Sequence, residues 1–419
     1  MLFLYSIALT LFCLFYLPTF FLKKKSGDHL LERFGSVPQK KGEGKVFWLH
    51  SVSLGEALAA SQLVKGIRTQ IPNIRFAFST TTRTGRAVLE KICREEDTLF
   101  YFPIDFGWVV RRTLRRVQPG CFATMETELW PNLILALKQN KIPILLLNGR
   151  ISEKSYHRYR WVRWPLRRLL RKMDLFCMQY AEDGGRIWRL GAPLEKVHVV
   201  GNMKFDISFS KEEMTPDHLR GKLGLAREEK LWVAGSTHPG EEKPLLEVYT
   251  ALSRDYPFLR LLIAPRHPER IKDFVKLIET FHRKAHLFSE TDPPRGTAPS
   301  VFILDTVGQL RSLYQVADFV FVGGSLVPKG GQNLLEPAFF AKPILFGPFM
   351  DNFGDIAHLF LEKEAAIQVR NQEELMHATR SLLKDERLQR SLGERAKKVI
   401  LENQGVVSRH LELLKPFLR

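Results

Sequence analysis

Glu56 closes the stretch HSVSLGE, residues 50–56, which follows the apolar run VFWL and enters the helical pattern ALAASQLVKGI. A carboxylate where a strand gives way to a helix can take a proton from a hydroxyl. It can equally be a cap. Ser53 with Glu56 three residues on forms the S-x-x-E capping box, and the dipole at a helix start tends to lower a carboxyl pKa. On the residues alone both readings stand. METELWPN, 125–132, repeats the placement: Glu126 and Glu128 follow the strand-like GCFAT, and Pro131 suits the first turn of the next helix. GNMKFD, 201–206, sets Lys204 just past another strand end. Four later loops complete the set: AGSTHPGEE (234–242), APRHPER (264–270), DTVGQL (305–310) and GGSLVPKGGQNLLEP (323–337). They carry Ser236, Thr237, His238, Arg266, His267 and Gly308, then the glycines Gly323, Gly324, Gly330 and Gly331 before Asn333, which is expected to begin a helix. Turns of this kind present backbone N–H groups to an anion, and glycine lets a ligand approach the backbone closely.

Such loops need strands and helices to hold them. Apolar runs of strand length recur at VFWLH, IRFAFST, TLFYFP, GCFATM, PILLLN, LFCMQ and VHVVG. Helical patterns lie between them, for example Ala57, Ala60, Val64 and Ile67. After a polar interruption at 207–228 the alternation restarts with LWVAG, LRLLIAP, VFILD, DFVFVGG, PILFG and AAIQV. Strand followed by helix, repeated, predicts parallel sheets with helices on both faces, hence an α/β protein of two doubly wound domains around a cleft. In such sheets ligands gather at the carboxyl ends of the strands, where all these loops fall. The expected boundaries are 1–25 for a membrane anchor, 33–207 for the first domain and 226–419 for the second, including the helical tail.

The 419 residues exceed one ordinary core, and Lys plus Arg outnumber Asp plus Glu for a formal charge of +18. That excess points to an anionic partner. Cys13, Cys93, Cys121 and Cys177 show no C-x-x-C spacing, which argues against a disulfide framework or a zinc site. The uncharged run from Leu2 to Leu22 would span roughly 31 Å at about 1.5 Å per residue, enough for a bilayer core. Lys23, Lys24 and Lys25 then place the body on the cytoplasmic side. The segment 155–173 interleaves seven basic residues, among them Arg158, Arg160, Arg163, Arg167 and Arg171, with Tyr156, Tyr159, Trp161 and Trp164. It suits a membrane interface more than nucleic acid, and an ordinary helix with its aromatics turned to the core is the plain alternative. No P-loop, G-x-G-x-x-G, Asp-x-Asp, H-E-x-x-H or G-x-S-x-G pattern occurs.

Together HSVSLGE, TTTRTG (80–85), METELWPN, LNGRIS (147–152), GNMKFD, GSTHPGEE, APRHPER and GGQNLLEP occur in the order found in bacterial 3-deoxy-D-manno-octulosonic acid (Kdo) transferases of lipopolysaccharide synthesis. The chain resembles that family from about Arg33 to Val369. The resemblance implies a GT-B fold with a single N-terminal anchor at the inner membrane. It implies inverting transfer of Kdo from CMP-Kdo to lipid IVA, without metal or other cofactor and with no nucleic-acid partner. Carried over by position, Glu56 is the general base, and Glu126 and Lys204 stabilise the transition state. Pro265, Arg266, Val307, Gly308, Gln309, Asn333, Leu334, Leu335 and Glu336 take the positions that bind the nucleotide. Family members usually carry glutamate at Gln309 and histidine at Gln332, so the contacts there stay open. The rival readings are a GT-B transferase of another nucleotide sugar, such as a UDP-sugar, and a basic nucleic-acid-binding protein.

Overall fold

A computed structural model of the protein describes residues 5–7, 9–11, 30–39, 42, 44–206, 215–290 and 300–418. It divides into two compact units, Met1–Asp206 with Gln404–Arg419, and Ile207–Asn403. Most of the apolar run Leu2–Leu22 lies outside the described residues. Among those described, no helix is long and apolar enough to cross a membrane.

The first unit holds seven parallel strands: β1 (Val46–Ser51), β2 (Arg75–Thr80), β3 (Thr98–Tyr101), β4 (Cys121–Met125), β5 (Ile144–Gly149), β6 (Leu175–Met178) and β7 (Val197–Val199). They lie in the order β3-β2-β1-β4-β5-β6-β7. Every residue of β1 is buried, so its side chains alternate between two cores. Val46 and Trp48 join Phe100, Phe122, Leu137 and Leu170 on one face. Phe47 and Leu49 join Phe76, Ala57, Leu63 and Leu411 on the other. The second unit repeats the plan with β8 (Lys230–Thr237), β9 (Leu259–Pro265), β10 (Lys284–Leu287), β11 (Ser300–Ile303), β12 (Phe319–Val322), β13 (Ile344–Phe346) and β14 (Ile367–Gln368). Their order is β10-β11-β9-β8-β12-β13-β14, again with parallel pairing throughout. Trp232, Leu245, Leu261, Phe319 and Leu345 share its core.

The tail divides in a way that differs from the expected boundary at 419. Helix Glu386–Asn403 stays with the second unit, whereas the closing helix Val406–Leu418 belongs to the first. Its Val406, Leu411 and Leu414 are buried in the same core as Ala57 and Leu63, each contributing roughly 1.5–3 kcal/mol. Gly66 permits the close crossing: a Cβ there would lie 2.9 Å from Leu411 Cδ1. Amphipathic spacing makes this segment a helix but cannot say which sheet it covers. The basic segment is also two helices, Glu153–Trp161 and Arg163–Leu170, broken at Val162.

Candidate active site

Both sheets reverse their winding once, and the crevice at such a point is where ligands settle in doubly wound folds. In the first unit the reversal lies between β1 and β4, whose carboxyl ends carry Glu56 and the pair Glu126, Glu128. Ser53 caps helix Leu54–Gln70 as expected. Its Oγ accepts from Glu56 N at 3.3 Å. The Glu56 carboxylate accepts in return from Val52 N at 2.7 Å and Ser53 N at 3.2 Å. The Val52 carbonyl is held as well, by the hydroxyls of Thr80, Thr81 and Thr82 at 3.3, 3.2 and 2.9 Å. The run of threonines in TTTRTG thus gathers on one peptide of the Glu56 loop. Gly85 closes the cluster, because a Cβ there would sit 2.6 Å from Thr80 Oγ1.

The cap does not keep Glu56 acidic. The residue is 7% exposed. Burial pushes its carboxyl up to about 7, the Val52 N–H opposes this, and the charges of Glu126 and then Glu128 push it further. The expected lowering by the helix dipole is therefore outweighed by desolvation and like charge. Glu126 sits at φ +53, a left-handed conformation uncommon outside glycine, with its N–H donating to Leu147 O at 2.9 Å. Burial, then Glu126, also raises Glu128. The structure thus brings Glu56, Glu126 and Glu128 into one acidic cluster.

Lys204 lies farther along the sheet, on the turn Met203–Phe205 after β7. It is half-buried, and its N–H donates to Asn202 Oδ1 at 3.0 Å. Met203 shares a core with Ala57 and Ala60 of helix Leu54–Gln70, which carries Glu56 in its first turn. Sequence reading missed Asp105, whose carboxylate accepts from Asn132 N and Leu133 N at 2.9 and 2.8 Å. It caps helix Pro131–Gln139, whose own N-cap, Trp130, supplies no side-chain bond. His50 is a core residue that stacks on Phe102, and burial pulls its pKa down to about 3.

In the second unit the reversal lies between β8 and β12. Ser236, at φ +56, turns the chain toward His238. Glu241 is fully buried and accepts from four backbone N–H groups, of His238, Gly324, Ser325 and Leu326, at 2.8, 2.6, 2.9 and 2.9 Å. It locks the loop after β8 to the glycine loop after β12, a role the sequence did not show. Pro265 is buried opposite Thr237, and Arg266 N donates to Thr237 O at 2.9 Å. His267, Lys329, Arg266 and Arg270 all act on His238, whose pKa is lowered first by burial and then by these neighbours. The loops after β8, β9 and β12 thus share one cationic patch. Val307 is exposed, Gly308 stands at φ +91, and Gln309 Oε1 accepts from Thr306 Oγ1 at 3.1 Å. Asn333 Oδ1 accepts from Leu335 N at 3.0 Å and Asn333 Nδ2 donates to Glu336 Oε1 at 3.3 Å. The helix there begins at Leu335 and not at Asn333, and the side chains of Leu334 and Leu335 belong to the core.

Residues 28–207 match the family described as 3-deoxy-D-manno-octulosonic-acid transferase (kdotransferase). A 3-deoxy-D-manno-octulosonic acid transferase of Haemophilus influenzae is 34% identical over 402 residues, covering 93% of this chain and 92% of the relative. The chain belongs to the 3-deoxy-D-manno-octulosonic acid transferase family. This Kdo transferase is also 30% identical over 386 residues to the enzyme of that name from Chlamydia trachomatis, covering 91% of this chain and 88% of the relative. Two solved structures show the same GT-B-like fold. A glycosyltransferase from Rickettsia africae gives a TM-score of 0.57 at 13% identity, covering 90% of the Kdo transferase chain and 100% of its own. UDP-GlcNAc 2-epimerase from Neisseria meningitidis gives 0.55 at 14% identity, covering 86% and 99%.

The basic segment of the Kdo transferase departs from the plain core reading. Tyr156 and Tyr159 do pack on the core, but Trp161 is 91% and Trp164 69% exposed. Arg163, Arg167, Arg171, Trp188, Arg189 and Lys196 border a groove of about 670 Å³. The groove reaches the turn that precedes β7, at the amino end of the sheet, whereas the acidic cluster lies at the carboxyl ends.

Proposed function

We propose that this Kdo transferase moves Kdo from CMP-Kdo to lipid IVA in lipopolysaccharide synthesis, with inversion at the sugar carbon. The observation that carries the reading is the carboxyl of Glu56, held near neutrality in the winding crevice of the first sheet. A general base works best when its pKa lies near the working pH. Glu56 takes the proton of the acceptor hydroxyl as that oxygen attacks the ketosidic carbon. The bond to the cytidylate oxygen breaks on the opposite side and CMP leaves with the electron pair. Arg266, Arg270 and Lys329 supply fixed positive charge for the departing phosphate, which requires no reorganisation as charge develops. Glu126 balances positive charge growing at the sugar carbon, and Lys204 balances negative charge on the donor.

On this reading residues 33–207 take the lipid and residues from 226 onward, up to the closing helix, take the nucleotide. Pro265, the Val307–Gln309 turn and Asn333–Glu336 shape the nucleotide's surroundings. Leu334 and Leu335 contribute backbone alone, since their side chains are buried. The body works at the cytoplasmic face of the inner membrane, with Leu2–Leu22 as anchor. The arginine–tryptophan groove suits the phosphates of the membrane surface better than those of the acceptor, because it opens at the end of the sheet opposite Glu56. The test offers lipid IVA with CMP-Kdo or with UDP-sugars to the purified full chain and reads the product by mass. Kdo addition from CMP-Kdo alone is expected. Transfer from a UDP-sugar with none from CMP-Kdo would overturn the assignment.

A further inference from the structure

We propose that His410, on the closing helix, is a positioning residue that fixes the turn carrying Lys204. The ring is fully buried, more than 200 residues beyond the turn in the chain. Its Nδ1 faces Val406 O at 2.9 Å and its Nε2 faces Asn148 N at 3.2 Å. The carbonyl can only accept and the amide can only donate. One neutral tautomer satisfies both, with the proton on Nδ1 and a lone pair on Nε2. Burial holds the ring neutral, pulling its pKa down to about 4.

Asn148, at the end of β5, stands at φ +51, so its backbone needs support from its surroundings. Its N–H rests on His410, and its Oδ1 accepts from Met203 N at 2.9 Å, one residue from Lys204. Its carbonyl accepts from Gln179 Nε2 at 2.8 Å, and Gln179 Oε1 accepts from Asn202 Nδ2 at 2.8 Å. Asn202 Oδ1 then receives the Lys204 N–H. The closing helix grips the same loop twice more. Arg409 Nε donates to Val200 O at 2.8 Å, and Asp206 accepts from Gly405 N at 2.7 Å and from Val407 N. Each hydrogen bond in the chain from His410 to Lys204 N pairs one donor with one acceptor. A buried network of this sort specifies one geometry and loses it when a member is removed. The mechanism so far uses neither His410 nor Asn148.

The inference rests on the catalytic reading of Lys204. The test compares His410→Met and His410→Gln, which have similar volume and differ in whether an oxygen can accept from Asn148 N. Met should lower kcat by roughly 10- to 100-fold, as displacement of a catalytic group does, with KM for CMP-Kdo within about threefold of wild type. Gln should restore kcat to within a few-fold. On a Lys204→Ala background, His410→Met should cause no further loss. Asn202→Ala cuts the network at its other end without touching the closing helix and should show the same non-additivity, so it decides the matter if His410→Met does not fold. Lys204→Ala at the wild-type rate would overturn the reading of Lys204 and this proposal with it. A full additional loss on the Lys204→Ala background, or equal rates for Met and Gln, would overturn the proposal alone.

Discussion

Replacing Glu56 by Gln separates the two jobs of that side chain. The amide keeps one acceptor oxygen, enough for the shorter bond from the Val52 N–H, but gives up the second acceptor, which serves the Ser53 N–H, and cannot act as a base. Transfer should fall by about 10²–10⁴-fold. Stability should move the other way. The folded chain holds this carboxyl at about 7 against an ordinary 4.5. At 1.36 kcal/mol per pH unit that difference amounts to roughly 3 kcal/mol. A carboxyl with a raised folded-state pKa binds its proton more tightly folded than unfolded. Its stabilising contribution is therefore full below about 4.5 and is lost as the pH rises through about 7. At pH 8 the wild type buries a charge and the Gln variant does not. Thermal unfolding followed by circular dichroism between pH 4.5 and 8 should show the variant gaining on wild type by up to about 3 kcal/mol, or roughly 6–12 °C for a unit of this size. Turnover near the wild-type rate would leave Glu56 as a cap only. A difference in Tm that stays constant with pH would refute the burial argument itself.

Four other outcomes are expected. Glu126→Gln removes a charge that raises the Glu56 pKa, so the acid limb of the pH–rate profile should move to lower pH; an unmoved limb would mean the two carboxyls do not interact. Gly85→Ala forces a Cβ to within 2.6 Å of Thr80 Oγ1 and should cost about 1–3 kcal/mol in urea unfolding. Arg266→Ala should raise KM for CMP-Kdo about tenfold or more and leave KM for the lipid unchanged, because it removes one fixed cation from the patch around His238. Arg163→Ala with Arg167→Ala should weaken co-sedimentation with anionic vesicles while sparing turnover of detergent-dispersed acceptor; equal loss in both assays would tie the groove to the chemistry.

What the sequence disclosed is what local pattern determines. The capping box at Ser53 and Glu56, the helix start at Pro131 and the parallel alternation depend on a few neighbouring residues, and they form as expected. The acidity of Glu56 was misjudged because desolvation and the nearness of Glu126 arise only when β1 and β4 lie side by side. Glu241 sits in the loop AGSTHPGEE with nothing nearby to mark its partners, because its carboxylate serves amides more than 80 positions away. Asp105 caps a helix that begins beyond it in the chain, which spacing rules for a local cap cannot find. The break at Val162 has a local signal in Pro165, which fits the first turn of the second helix and not the interior of one continuous helix, whereas the exposure of Trp161 and Trp164 has none.

The closing helix gives the first unit an unusual birth order. Its partner surface, lined by Ala57, Leu63 and Ile67, leaves the ribosome long before Val406 and Leu414 exist, with the whole of Ile207–Asn403 made in between. At about 5–20 residues per second that interval is roughly 10–40 s. For that time the apolar surface of Ala57, Leu63 and Ile67 lacks its native cover. Removing the segment from Val406 onward would therefore damage the half of the protein that was synthesised first.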